Sequence, residues 1–120
     1  CYVDLLMEVT YGSKGYIPTT TGSYVTVLTV PDGYHCKVNY FLCAAGGSVT
    51  VDARWSNGTD YRFLKGKNLN AGDLVEFGVS ENQYLILTEG DTIDIQCSTV
   101  NATFIISYEL YIAPTSTIVL

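Results

Sequence analysis

The sequence predicts an all-β fold: a single antiparallel two-sheet sandwich, jelly-roll-like, with about eight strands and extended N- and C-terminal arms. Three observations carry that prediction. No segment sustains an i, i+3, i+4, i+7 apolar pattern through a capped stretch, so helix signals are nearly absent. β-Branched and aromatic residues cluster between Gly, Pro, Asn and Asp, as strands closed by turns require. The phrase Leu-x-x-Gly-Asp, followed by an alternating run, occurs twice, as LNAGDLVEF from residue 69 and LTEGDTIDI from residue 87. Two copies are too few and too short for a solenoid, so the phrase marks equivalent turn-to-strand junctions of one sandwich.

The elements follow in order. YVTVLTV, residues 24–30, is the first clear strand, and it ends at Pro31-Asp32-Gly33, where Pro sets φ and Gly accepts the positive φ of a tight turn. HCKVNYFLCAA, residues 35–45, is a long, nearly continuous apolar strand, which implies burial on both sides for part of its length. Gly46-Gly47 permits a tight reversal into residues 48–55. There Val49, Val51, Ala53 and Trp55 share one face, and Thr50, Asp52 and Arg54 the other.

Asn57-Gly58 predicts a type I′ hairpin into a strand over residues 60–65, and the polar run KGKNLNAG, residues 65–72, reads as a loop. After the first Gly-Asp, Val75, Phe77 and Val79 are expected inward and Glu76 outward. After the second, Ile93, Ile95 and Cys97 are expected inward, with Asp94 and Gln96 outward. QYLILT, residues 83–88, and ATFIISYELYI, residues 102–112, complete the strands. The domain plan is an N-terminal arm or edge segment over 1–22, the sandwich over 23–112 and an extension over 113–120. The apolar residues near both ends, Tyr2 among them and Ile118 and Leu120 at the finish, either pack on their own sandwich or anchor neighbouring subunits.

At 120 residues the chain is sized for one core. Hydrophobic residues make up 48% and charged ones only 15%, so much of the surface must be Thr, Ser, Asn, Gly and Tyr. Ten tyrosines against six Lys plus Arg suit protein contact, because Tyr brings large contact area at low entropic cost. The net charge of −6 repels phosphate backbones and anionic bilayers, so neither nucleic acid nor membrane is an expected partner. The opening CYVDLLMEVT carries acids where a signal peptide has a basic region, so no leader is expected.

The chemistry of turnover is thinly represented. Cys1, Cys36, Cys43 and Cys97 form no C-x-x-C pair, and His35 is the single histidine, so zinc and redox spacings are missing. Cys36 and Cys43 should lie about 23 Å apart on opposite faces of one strand, out of bridging reach, while a bond from Cys97 to either stays open. His35 and Cys36, as strand neighbours, point to opposite faces and cannot form a nucleophile–base pair. Asp73, Glu76, Glu89, Asp91 and Asp94 divide between turns and strand faces, which is poor geometry for a hard cation that needs six or more oxygens. No catalytic residue, metal or cofactor is therefore expected. Trp55, Tyr61 and Arg62 flank the hairpin tip, where a Trp and a Tyr can stack on a sugar ring, although Trp55 also fits the end of the inward series. Asn57-Gly-Thr and Asn101-Ala-Thr match the glycosylation pattern, but Asn57 is already explained by its turn.

The order Leu28-Thr-Val-Pro-Asp-Gly33, aliphatic strand, Gly-Gly, aromatic strand, Asn-Gly-Thr-Asp-Tyr61, the two Leu-x-x-Gly-Asp phrases and a closing Ile106-Ser-Tyr108 resembles small β-sandwich virion proteins of tailed bacteriophages. The resemblance covers roughly residues 24 to 112 and implies a non-enzymatic capsid decoration or cement subunit. It further implies a location on the outer surface of the particle. Its partners would be other copies of itself and other virion proteins such as the major capsid protein. Candidate contact residues are Trp55, Tyr61, Arg62, Tyr2, Tyr111, Ile118 and Leu120. The alternative is a glycan-binding sandwich of a phage tail or neck, centred on Trp55, Tyr61 and Arg62.

Overall fold

The structure, a computed structural model, describes residues 9–80 and 82–113. Its strands are β1 (Val9–Tyr16), β2 (Val25–Thr29), β3 (Tyr34–Ala45), β4 (Val49–Ser56), β5 (Asp60–Leu69), β6 (Leu74–Phe77), β7 (Leu85–Leu87), β8 (Thr92–Cys97) and β9 (Ala102–Ile112). The eight strands expected from the sequence correspond to β2 through β9. The ninth, β1, comes from the segment read as an arm or edge: it pairs along its whole length with β9 of its own sandwich.

Two antiparallel sheets pack face to face. In the first the order is β1-β9-β3, with β6 and β7 both on the far edge of β3; in the second it is β2-β8-β4-β5. The logic is that of one long hairpin closed at β4–β5, in which β1 pairs β9, β2 pairs β8, and β3 pairs β6 and β7. Rolling that hairpin until β9 also lies on β3 and β8 on β4 produces the jelly roll. Gly46-Gly47 is therefore a corner that carries the chain from one sheet to the other, where a hairpin reversal was expected.

The repeated Gly-Asp phrase builds the same corner twice. At each, the Asp side chain accepts the N–H three residues back, from Asn70 to Asp73 at 2.8 Å and from Thr88 to Asp91 at 3.0 Å. Gly72 and Gly90 take φ of 88° and 82°, a region that penalises any side chain. The first corner then exchanges two backbone hydrogen bonds with Ala45 at the end of β3, and the second exchanges two with Val30 just past β2. Both corners carry the chain across between sheets, β5 to β6 and β7 to β8, so the sequence phrase and the structural device coincide.

Alternation places the core. Val49, Val51 and Ala53 of β4, Ile93, Ile95 and Cys97 of β8, and Phe104 and Ile106 of β9 are all buried between the sheets. Each aliphatic or aromatic side chain withdrawn this way contributes about 1.5–3 kcal/mol before entropy is counted. Several expectations are corrected. Residues 65–69 continue β5, because β4 holds them by Val51 opposite Lys67 and Val49 opposite Leu69. Their polarity is accommodated by a bulge in which Gly66, at φ 60°, donates its N–H to Asp52. The β4–β5 loop has three residues, since Ser56 faces Asp60 and Asn57 Oδ1 accepts the Thr59 N–H, so it is not the two-residue type I′ turn. Val79 is exposed, because Gly78 at φ 95° turns the chain away after Phe77.

The cysteines require a further correction. β3 shifts register between Val38 and Tyr40, and Asn39 and Tyr40 both project outward, to Glu109 and Glu76. This bulge puts Cys36 and Cys43 on the same, inward face. Cys36, Cys43 and Cys97 are buried free thiols, and Cys1 lies outside the described residues. Burial, with Glu109 adding to it, pushes the Cys36 thiol up to about 11; burial, with Cys97 adding, pushes Cys43 up to about 11. An unfolded thiol titrates at about 8.5, so from there upward the unfolded chain releases protons that the folded protein keeps. The stability these thiols contribute is thus fully present at neutral pH and lost as the pH rises from about 8.5 towards about 11. Urea midpoints across that range should fall for the native protein and fall less steeply for a Cys36→Ala, Cys43→Ala double variant.

Candidate functional site

The two outer faces of the sandwich differ in chemistry. On the second sheet, Thr26, Asp94, Arg54, Asp60, Asp52 and Arg62 form a charged surface that satisfies itself. Asp94 is buried to 4% exposure and takes hydrogen bonds from Thr26 Oγ1 and Arg54 Nε, both at 2.8 Å. Arg54 also reaches Asp60 at 3.2 Å and lies over the Tyr24 ring, 3.8 Å from its centroid. The sequence placed Asp94 outward correctly, but its neighbours cover it.

The outer face of the first sheet is aromatic and aliphatic. Pairing registers put Tyr11 of β1, Ile105 and Tyr111 of β9, Leu42 of β3, Leu74 of β6 and Ile86 of β7 on this side. Tyr11 is 73% exposed and Leu74 54% exposed. The charges here are occupied by neutral neighbours: Lys37 sits over the Tyr84 ring at 4.6 Å, Glu76 accepts the Tyr40 hydroxyl at 2.7 Å, and Glu109 accepts the Asn39 amide at 2.8 Å. The result is a sheet surface offering tyrosine rings and branched aliphatics with few uncompensated charges, the composition of a contact-forming patch. Tyr111, singled out from sequence, lies here half-buried, edge-on to His35 with centroids 6.3 Å apart. Burial, then Cys36, Glu109 and Tyr84, push its phenol above the ordinary value.

Trp55 and Tyr61 are opposite one another across β4 and β5, stacked with centroids 5.0 Å apart and planes at 29°. Trp55 is anchored in the end of the core by its indole N–H, which donates to the buried Asp91 at 3.2 Å. Tyr61 covers its outer side and is itself half exposed. Arg62 belongs to the other face of the sheet, 3.8 Å from Asp52. The structure thus brings two of the three together and separates the third. Tyr2, Ile118 and Leu120 lie outside the described residues.

The five carboxylates weighed as cation ligands each have a separate task. Asp73 and Asp91 close corners, Glu76 holds Tyr40, Glu89 accepts the Gly33 N–H, and Asp94 holds Arg54. Among the described residues no three His, Cys, Asp or Glu side chains gather at one point. Sequence reasoning missed Tyr11, Leu74 and Ile86. Their signal was present in the alternation, but β1 had not been recognised as a strand and the outward register of β6 and β7 depends on pairing with β3. Comparison with protein-family models, with curated proteins and with solved structures finds no match for this chain.

Proposed function

We propose that the chain is a non-enzymatic structural subunit of a bacteriophage particle, a capsid decoration or cement protein that docks through the outer face of its first sheet. The observation that carries this reading is the contrast between the two faces: one self-paired and charged, the other presenting Tyr11, Leu74, Tyr84 and Ile86 with its charges already engaged. The sandwich supplies a rigid platform for such a patch, and repetition over many copies makes modest individual contacts sufficient.

A Tyr11→Glu, Ile86→Glu double variant tests the proposal. Both side chains are surface residues, so circular dichroism should remain unchanged while binding to intact particles falls about thirtyfold or more, as replacing two exposed apolar contacts at either end of the face by charges predicts. A native chain that stays monomeric and leaves particles unbound would sink the reading. A glycan-binding alternative draws on Tyr61, whose ring keeps one side open. Glycan binding abolished by Tyr61→Ala, with particle binding absent in the native chain, would replace docking by that alternative.

A further inference from the structure

A cavity of about 230 Å³ opens between the sheets where the edge of the first sheet is interrupted, between β6 and β7. Its walls are Phe41, Phe63 and Phe77 with Leu85 and Ile93. The three rings form a cup: Phe41 and Phe63 meet at 5.4 Å and 87°, Phe63 and Phe77 at 5.8 Å and 81°, Phe41 and Phe77 at 6.0 Å and 39°. The hollow is open to solvent on one side, where Phe77 and Tyr84 are partly exposed, and its walls are mostly apolar, so water inside it has few hydrogen-bond partners and an apolar guest would displace that water favourably.

The cup is held open by backbone. The Asn39 bulge displaces β3, and Gly78 lies so close to the Asn39 carbonyl that a side chain there would collide with it. Beside them β6 ends at Phe77, and the next strand on this edge, β7, begins only at Leu85. Gln83 stands at the rim, its Oε1 accepting the Gly78 N–H at 3.1 Å.

We propose that this cup binds a small uncharged ligand with one aromatic ring, of the size class between benzene and indole. Volume sets the size, since a dry cavity of about 150 Å³ lined by Leu, Ile and Phe is sufficient for benzene. Charge sets the class: among the described residues no carboxylate, amine or guanidinium lines the cup, so an ionised ligand would gain no partner from these walls. Ring geometry sets the shape, because phenylalanines already disposed edge-to-face accept a further ring in the same offset or edge-on manner. The cup opens beside the docking face and shares Tyr84 with it, but Tyr11 and Ile86 do not line it, so the variants that test the two proposals are different and either proposal can fail without the other.

The test uses the whole chain with toluene and indole as probes and benzoate and benzylammonium as charged controls. Toluene and indole should shift the methyl resonances of Leu85 and Ile93 and raise the melting temperature, while the controls do neither. Leu85→Trp, which fills the cup, should weaken binding at least tenfold, whereas Val79→Trp, on exposed chain outside it, should leave binding unchanged. Should Leu85→Trp fail to fold, Phe77→Ala serves in its place, because removing the half-exposed wall should also cost at least tenfold. Absence of any shift at Leu85 and Ile93 with either probe, or equal shifts with the charged controls, would overturn the proposal. So would toluene binding undiminished by whichever wall variant folds.

Discussion

Gly78→Ala is expected to lower the stability of the folded chain by about 3 kcal/mol, the sum of a left-handed backbone imposed on an L side chain and a collision that backbone must relieve. The residue sits at φ 95°, and the nearest atoms to a new Cβ are the Asn39 carbonyl and the Tyr40 Cα, neither of which can rotate aside. Gly90→Ala is the control. It has a similar φ of 82° but open space around it, so only the backbone penalty of about 1–2 kcal/mol applies. The difference between the two, read from urea unfolding at constant slope, isolates the contact that shapes the cup. Equal losses would mean that the Asn39 bulge yields freely and the cup is not propped by it.

Asp94→Ala is expected to cost about 3 kcal/mol, because it strands the Arg54 guanidinium and the Thr26 hydroxyl on a largely covered surface. The full penalty of a deeply buried broken pair is not reached, since the Arg54 side chain remains 24% exposed and keeps Asp60 and the Tyr24 ring. Arg62→Ala provides the contrast. Its partner Asp52 is 3.8 Å away and half the Arg62 side chain is in solvent, so the loss should stay within about 0–1 kcal/mol. An Asp94→Ala loss no larger than that of Arg62→Ala would show that Asp94 is covered without being used. The two charged contacts on one sheet face thus differ in weight for a reason visible only in their surroundings.

Much of the site was legible in part. The Trp55–Tyr61 pair was identifiable from the hairpin between β4 and β5, a short-range signal. Arg62 was grouped with them by sequence proximity, yet neighbours in a strand face opposite ways, and its partner Asp52 lies on the far side. The Phe41, Phe63 and Phe77 cup was not legible. These residues come from β3, β5 and the end of β6, strands of both sheets, and nothing in any one segment specifies that they meet.

What the sequence determined by itself was whatever depends on residues close along the chain: the strand character of Ala102–Ile112, the inward series of Val49, Val51 and Ala53, and the twin Gly-Asp corners, each closed by an Asp reaching three residues back. These follow from period-two alternation and from backbone conformations that only certain residues tolerate. Tertiary structure alone decided the Asn39 bulge that turned Cys36 and Cys43 to the same side, the recruitment of polar residues 65–69 into β5, and the burial of Asp94 beneath its neighbours. In each case a partner strand outside the segment supplied hydrogen bonds or cover whose free energy exceeded the local preference, and local preference is all that a single segment expresses.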